Sequence, residues 1–481
     1  MQLIKNYIAG ELKEPLKKQY LDNIEPATGQ VYSQIPNSTS EDLEMAVEAA
    51  QKVQPAWAAL SLEKRAEILM KVADAIDDHS NQLAKAEAID NGKPFSLAKT
   101  VDIYRASANI RFFAQAITQF SSESHAMSDE AINYTLRDPI GVVGCISPWN
   151  LPLYLFTWKI APALASGNAV IAKPSEVTPM TAFLFSKICI EAGLPAGVLN
   201  ILHGDGPSIG DPLTTHPKIK AISFTGGTST GAHISKVTAG MFKKLSLELG
   251  GKNPTLVFAD CDFENTVNSV VRSAFANQGQ ICLCGSRIYI ERPIYEKFKQ
   301  AFVQKVQALN IGDPLDEDTE HGALVSKPHM EKVLSYIALA KKEGGTVLTG
   351  GKQISLEGRC ENGYFVEPTV IEGLDNDCRT NQEEIFGPVC TIMPFDSDKE
   401  AVELANGTQY GLASSVWTND LKRAHRVAKQ IEAGIVWINC WLLRDLRTPF
   451  GGVKNSGVGR EGGLEALRFF TEAKNVCIKY N

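Results

Sequence analysis

The chain has 481 residues, too many for one ordinary hydrophobic core, and a prior of about 150 residues per domain leads to two or three domains. Hydrophobic residues at 44 % and charged residues at 21 % describe a globular chain rather than a disordered or fibrous one. A formal charge of -7 and an isoelectric point of about 5.7 leave no basic footprint, so neither nucleic acid nor a membrane surface is expected as a partner.

The first residues, Met1-Gln-Leu-Ile-Lys-Asn-Tyr7, lack the sustained apolar run of a signal peptide, and the most apolar region, 151–172, is interrupted by Pro152, Lys159, Pro162 and Gly167. Ten cysteines without paired spacing then suggest reduced thiols and a cytoplasmic location. From Ser40 to about Ser121 the pattern is helical, with Ile68, Leu69, Val72, Ala73 and Ile76 at three- and four-residue intervals. Near the end of that layer Arg105 and Arg111 interrupt an apolar helix; on local pattern alone, both would snorkel to solvent.

Between about Gly141 and Gly251, apolar β-branched runs alternate with helical segments. The runs Val142–Ile146, Ala169–Ala172, Val198–Leu202, Ala221–Phe224 and Leu245–Leu247 predict a parallel, doubly wound sheet of about five strands. Such a sheet forms a dinucleotide crevice at its strand ends, yet the glycines depart from the usual fingerprint. Gly204-Asp-Gly-Pro-Ser-Ile-Gly210 is one residue too long for G-x-G-x-x-G, and Gly226 to Gly231 reads G-x-x-x-x-G. From about Lys252 the alternation restarts with Thr255–Phe258 and Ile288–Ile290, predicting a second α/β domain that ends near Arg460. Trp437-Ile-Asn-Cys-Trp-Leu-Leu-Arg444-Asp-Leu-Arg447 precedes a glycine-rich return, which puts its arginines on a loop at a cleft mouth. Segments 131–137 and 475–481 alternate like strands and together predict a small protruding sheet with an edge for another subunit.

Two stretches carry the chemistry. Phe275-Ala-Asn-Gln-Gly-Gln-Ile-Cys282 sets a thiol beyond a glycine-softened turn, and Leu245-Ser-Leu-Glu-Leu-Gly-Gly-Lys252 offers a carboxylate, Glu248, just before two glycines. A lone cysteine is more often a small buried hydrophobe than a nucleophile; a potential base in the same chain favours the second reading. Cys282-Leu-Cys284 could be half a metal site, but no nearby C-x-x-C or H-x-x-x-H completes it, and no metal is expected.

Leu247-Glu-Leu-Gly-Gly-Lys252 and Phe275–Cys282 resemble the glutamate and cysteine signatures of the NAD(P)-dependent aldehyde dehydrogenase superfamily. The likeness runs nearly end to end through Pro148-Trp-Asn150, Lys173-Pro-Ser-Glu176, Phe224-Thr-Gly-Gly-Thr-Ser-Thr-Gly231, Glu384-Ile-Phe-Gly-Pro388 and Pro449-Phe-Gly-Gly-Val-Lys-Asn-Ser-Gly457. The resemblance implies an α/β aldehyde dehydrogenase fold. Its modified Rossmann, NAD-binding domain would comprise residues 1–118 and 139–250, its catalytic domain residues 251–460, and its β oligomerisation extension residues 119–138 and 461–481. It implies a homodimer or homotetramer acting on a small aldehyde.

It further implies that Cys282 forms a thiohemiacetal and then a thioester, that Asn150 and the Cys282 N–H hold the oxyanion, and that Glu248 activates water, with Lys159 and Glu461 as a proton relay. Lys173 and Glu176 would lie over the adenosine ribose, where a carboxylate repels a 2′-phosphate and favours NAD. Gly227 and Thr228 would face the pyrophosphate, and Glu384 the nicotinamide ribose with Phe386 beside it. The remaining cofactor contacts implied are Ile146, Ser147, Pro148, Trp149, Ser175, Gly206, Gly210, Phe224, Thr225, Gly226 and Leu249. The phrases around Arg105 and Arg444 resemble the branch acting on 2-aminomuconic and 2-hydroxymuconic semialdehydes, where matching arginines bind the substrate carboxylate. Rival readings are a dehydrogenase for a betaine-type or aliphatic aldehyde, and a non-catalytic binding or structural protein on the same fold.

Overall fold

The computed structural model describes residues 2–480. Five strands of an eight-stranded sheet run parallel in the spatial order Lys244–Glu248, Ile219–Thr225, Val142–Ile146, Ala169–Lys173, Leu199–Ile201. These are the runs predicted from the sequence. They read as continuous apolar stretches because both faces of the sheet are covered. On one face Leu69, Val72, Phe113, Phe156 and Ile160 pack from the helices Leu62–Asp78, Tyr104–Ile117 and Pro152–Ala165. On the other, Leu43, Val47 and Ile234 pack from Ser40–Ala59 and Thr228–Thr238. A fully buried side chain of this size contributes about 1.5–3 kcal/mol.

Three short strands extend this sheet beyond the prediction: Gly457–Val458 pairs antiparallel with Lys244–Glu248 at one edge, and Asn6–Ile8 and Glu11–Lys13 continue the other. The chain winds outward from Val142–Ile146 in one direction, then returns to its other side through Ile219–Thr225. The strand order therefore reverses between these two, and the loops leaving their carboxyl ends flank a crevice suited to a ligand.

A second sheet of seven strands has Asn253–Val257 and Gly285–Glu291 near its centre and is parallel except for Thr346–Thr349. Its core centres on Val257, Ile288, Phe298 and Phe302. The predicted small sheet is also present: Thr471–Lys479 pairs antiparallel with Ala131–Pro139, which in turn pairs with Ser124–Met127. The helix Gly463–Phe469, just before that last strand, puts Ala466 and Leu467 into the core of the first sheet. Among the described residues, no helix is long and apolar enough to cross a membrane.

Candidate active site

Cys282 lies beyond the helix Phe263–Phe275, after a turn in which Asn277, Gln278 and Gly279 are consecutively left-handed (φ 51°, 56° and 68°). A non-glycine residue in that region costs about 1–3 kcal/mol, so the turn persists only because its surroundings hold it. Asn277 Nδ2 donates to the carbonyls of Asn150 (3.0 Å) and Gln280 (3.2 Å), and Gln280 Oε1 accepts from Val325 N (3.1 Å). A Cβ at Gly279 would stand 2.2 Å from the Gly387 carbonyl oxygen, so glycine is required there. Beyond the turn, Asn253 Nδ2 donates to the carbonyls of Cys282 (2.7 Å) and Cys284 (2.9 Å), and Trp441 Nε1 to that of Leu283 (2.9 Å). The thiol of Cys282 is thus carried on backbone fixed from both sides.

Asn150 follows the strand Val142–Ile146 and precedes the helix Pro152–Ala165. Its carbonyl accepts from the buried Lys93 Nζ (3.0 Å), and Asn91 Nδ2 holds the neighbouring Trp149 carbonyl (2.9 Å). Its side-chain Nδ2 donates to the Gln280 carbonyl (3.0 Å), tying it to the cysteine turn. An amide nitrogen has two donors, so one remains for another acceptor.

Glu248 ends the strand Lys244–Glu248, is 3 % exposed, and neither carboxylate oxygen has a hydrogen-bond partner among the described residues. A Cβ at Gly451 would meet Glu248 Oε1 at 2.7 Å, so glycine makes room for the carboxylate. Burial raises its pKa well above the usual carboxylate range; the nearby Glu461 raises it further, while Lys159, Arg444 and Arg460 oppose the shift. Burial also pushes the Cys282 thiol far up, helped by Glu384, Glu248 and Cys284 and opposed by Arg444. Both shifts have the same cause, burial, and both favour the proton-bearing form of the group. Lys159 Nζ donates to Glu461 Oε1 (2.7 Å) and Ser223 Oγ (3.2 Å).

Cys282 and Asn150 open onto a cavity of about 250 Å³ whose wall includes Pro148, Trp149, Thr225, Gly226, Gly227, Leu249, Glu384 and Phe386. Cys284 is not on that wall; its sulfur faces the Ala276 carbonyl. Gly227 caps the helix Thr228–Thr238 with nothing within 4 Å of where its Cβ would be, while Gly231 faces Leu249 so closely that a Cβ would stand 2.4 Å from it. Gly227 thus opens space at a helix N-terminus, whereas Gly231, the second glycine of G-x-x-x-x-G, lets the helix approach Leu249. A Cβ on Gly226 would lie 2.4 Å from the Phe224 ring.

Ile146 ends its strand, and Ser147 N donates to the Lys173 carbonyl (3.1 Å). Lys173 Nζ bonds Glu176 Oε2 (3.0 Å), and Ser175 Oγ accepts from Val177 N (3.2 Å). Lys173 ends its strand and the next helix starts only at Met180, so Pro174–Glu176 lie on a loop rather than at a helix start. Gly206 and Gly210 bound a single wide helical turn, with a Cβ at Gly210 4.0 Å from the Lys173 side chain. Glu384 Oε1 accepts from Gly251 N (2.8 Å); burial raises its pKa. Two further residues on the cavity wall, His329 and Lys332, escaped the sequence reading. His329 bonds the Phe386 carbonyl (2.7 Å) and packs against Trp149 at 5.0 Å between ring centroids. Their only local signal is Ser326-Lys-Pro-His, which marks a capped helix start.

The Arg444 guanidinium lies 4.2 Å from the Trp158 ring centre and 3.9 Å from that of Phe450, and its Nη1 donates to Tyr154 Oη (3.0 Å). Its Nε and Nη2 are buried without a partner among the described residues. The neighbouring Asp445 is taken by Arg447 (2.6 Å). Arg105 stands near the same tyrosine, its guanidinium carbon 5.7 Å from the ring centre. Arg111 instead pairs with Asp74 (2.6 Å) at the surface.

Two α/β sheets meeting at a fixed thiol, with a small antiparallel sheet projecting beside them, constitute the aldehyde dehydrogenase fold. The chain belongs to the aldehyde dehydrogenase family, whose profile matches residues 13–476. It is an enzyme that oxidises aldehydes with a nicotinamide cofactor. It is 48 % identical to the 2-aminomuconic semialdehyde dehydrogenase of Mus musculus, over 99 % of this chain and 98 % of that one. It is 47 % identical to the 2-hydroxymuconic semialdehyde dehydrogenase of Pseudomonas sp. (strain CF600), over the whole of both chains. The NAD+ complex of an aldehyde dehydrogenase from Bacillus cereus superposes with a TM-score of 0.97 at 40 % identity, covering 100 % of this chain and 97 % of that one.

Proposed function

We propose that this enzyme oxidises a muconic semialdehyde, bearing a carboxylate distal to the aldehyde, to the dicarboxylic acid with NAD. The observation that carries the reading is Arg444, whose Nε and Nη2 are buried and unpartnered while the adjacent carboxylate is engaged elsewhere. Unpaired buried donors of a cation are costly, and an anionic ligand would offset that cost. A betaine-type aldehyde would bring a cation to this site instead. Relatives named for aminomuconic and hydroxymuconic semialdehydes, at 48 % and 47 % identity, support the same substrate class.

The residues present fit a nicotinamide dinucleotide. The space over Gly227 at a helix N-terminus suits a pyrophosphate, and the unpartnered buried hydroxyls of Thr225 and Thr228 lie in the same segment. In this reading Lys173 and Glu176 bind the adenosine ribose, with Ile146, Ser147, Ser175, Gly206, Gly210 and Phe224 shaping that end. Glu176 would repel a 2′-phosphate, which favours NAD. Trp149, Leu249, Glu384 and Phe386 hold the nicotinamide end, where the cofactor, when bound, supplies the hydride acceptor.

Cys282 Sγ adds to the aldehyde carbon as its proton passes to Glu248. The oxyanion accepts from Asn150 Nδ2 and from the Cys282 N–H, two donors fixed before the reaction begins. Once the tetrahedral carbon has lost hydride, a thioester joins the acyl group to Cys282. Glu248 passes the thiol proton on toward the Lys159–Glu461 pair and, ionised again, removes a proton from the attacking water. The acid then leaves as the C–S bond breaks, and the Cys282 sulfur departs as thiolate and is reprotonated to the resting thiol. The domain division given above, and a cytoplasmic homodimer or homotetramer assembled through the exposed strand Thr471–Lys479, belong to the same proposal.

Initial rates with NAD test it, using 2-aminomuconic or 2-hydroxymuconic semialdehyde against an aldehyde of similar length without the carboxylate. A charge-assisted hydrogen bond contributes about 1.5–3 kcal/mol, so Arg444→Ala should lower kcat/KM for the semialdehyde roughly 10- to 150-fold, mainly through KM. The carboxylate-free aldehyde should be nearly indifferent. An equal loss with both substrates would remove carboxylate recognition from the account.

A further inference from the structure

One hydrogen bond decides which edge of Arg444 is left free. A guanidinium carries five N–H donors in a plane, and a carboxylate binds it best along an edge that presents two of them in parallel. The guanidinium carbon lies over the rings of Trp158 and Phe450, 4.2 and 3.9 Å from their centres, so the cation is held among aromatic groups that offer it no hydrogen-bond acceptor. Nη1 is engaged by Tyr154 Oη at 3.0 Å, and the two unpartnered nitrogens, Nε and Nη2, form one such parallel edge.

We infer that Tyr154 is a positioning residue for substrate specificity: its hydroxyl, accepting from Nη1, turns the Nε–Nη2 edge of Arg444 toward the distal carboxylate of the substrate. This rests on the proposed reading of Arg444. Tyr154 and Trp158 are four residues apart on the helix Pro152–Ala165 and so share one of its faces, where both meet the same guanidinium. That helix begins two residues after Asn150. The amide assigned to the oxyanion therefore lies just before the helix that carries the groups orienting Arg444, which ties the reacting end of the substrate to its distal end. Leu151, Leu155 and Ile281 pack in the same apolar cluster as Tyr154, with Cys282 against it, so the surroundings shared by the two ends are apolar. Tyr154 makes a planar, two-oxygen anion the preferred terminus.

The test compares 6-oxohexanoate with hexanal, two stable aldehydes of equal chain length that differ in the terminal carboxylate. Tyr154→Phe keeps the ring and removes only the acceptor. It should raise KM for 6-oxohexanoate by about three- to tenfold, the effect of one hydrogen bond, and leave kcat and both constants for hexanal unchanged. Arg444→Lys keeps the charge without the parallel edge, and in that background Tyr154→Phe should have no further effect, since the tyrosine acts through the guanidinium. Additive losses in the double variant, or equal losses with both aldehydes, would make Tyr154 a packing residue and overturn the inference. If Arg444→Ala penalises 6-oxohexanoate selectively while Tyr154→Phe does not, the role of Tyr154 falls and carboxylate recognition stands. If Arg444→Ala penalises both aldehydes alike, both fall.

Discussion

Two buried clusters in this molecule have the same charges, one lysine with two glutamate or aspartate side chains, and arrange them differently. Lys93 reaches both of its carboxylates, Asp102 at 3.0 Å and Glu87 at 3.5 Å, and also holds the Asn150 carbonyl at 3.0 Å. Lys159 directs its donors to Glu461 and Ser223, and Glu248, close enough to feel both charges, keeps two unpartnered oxygens. Burial raises the pKa of Glu87 and of Glu248 alike, each reinforced by a second carboxylate, Asp102 in one case and Glu461 in the other. The difference lies in where the lysine's donors go. Both carboxylates of the first cluster lie at ion-pair distance from their lysine, whereas Glu248, among the described residues, has no cation at that distance to balance it. A buried carboxylate with no cation in contact is a cost to stability, and that cost falls on Glu248 rather than on Glu87 and Asp102.

The largest expected effect comes from breaking the scaffold cluster. Lys93→Met would leave Glu87 and Asp102 buried without their cation and should destabilise the fold by about 3–5 kcal/mol, read as a fall in unfolding temperature or denaturant midpoint. An unchanged midpoint would mean that the two clusters do not differ in the way described. The smaller effect sharpens the catalytic side. Glu248 must be ionised to act as a base, and its raised pKa places the acidic limb of the kcat/KM profile above the ordinary carboxylate range. Glu461→Gln removes a negative neighbour and frees Lys159 to approach Glu248. Both changes favour the carboxylate, so the acidic limb should move to lower pH. A limb that stays in place, or moves up, would separate Glu461 from the titration of Glu248.

Much of this architecture is legible in local sequence, for identifiable reasons. The five central strands are apolar throughout because both sheet faces are covered, and the helical layer keeps its period because one side of each helix meets that sheet. The two- and three-residue strands at the sheet edges carry too few residues to show a period. The turn before Cys282 is readable from Asn277 and Gly279, but the closeness of Gly387 that makes glycine obligatory is a contact across more than a hundred residues. Lys93 sits in Asn91-Gly-Lys-Pro94, which reads as a helix end and gives no sign of a buried ammonium. Arg105 and Arg111 look alike in the sequence, yet Asp74, supplied by another helix, takes Arg111 to the surface and leaves Arg105 beside Tyr154. Such distinctions depend on partners distant in the chain, which no local pattern encodes.

The role proposed for Glu248, the base that completes turnover at Cys282, has a direct chemical test. Glu248→Ala, mixed with NAD and a semialdehyde and analysed by intact and peptide mass spectrometry, should accumulate an acyl adduct on the peptide containing Cys282, with one burst of NADH and little steady-state rate. Steady-state turnover at the wild-type rate, with no adduct on that peptide, would contradict it.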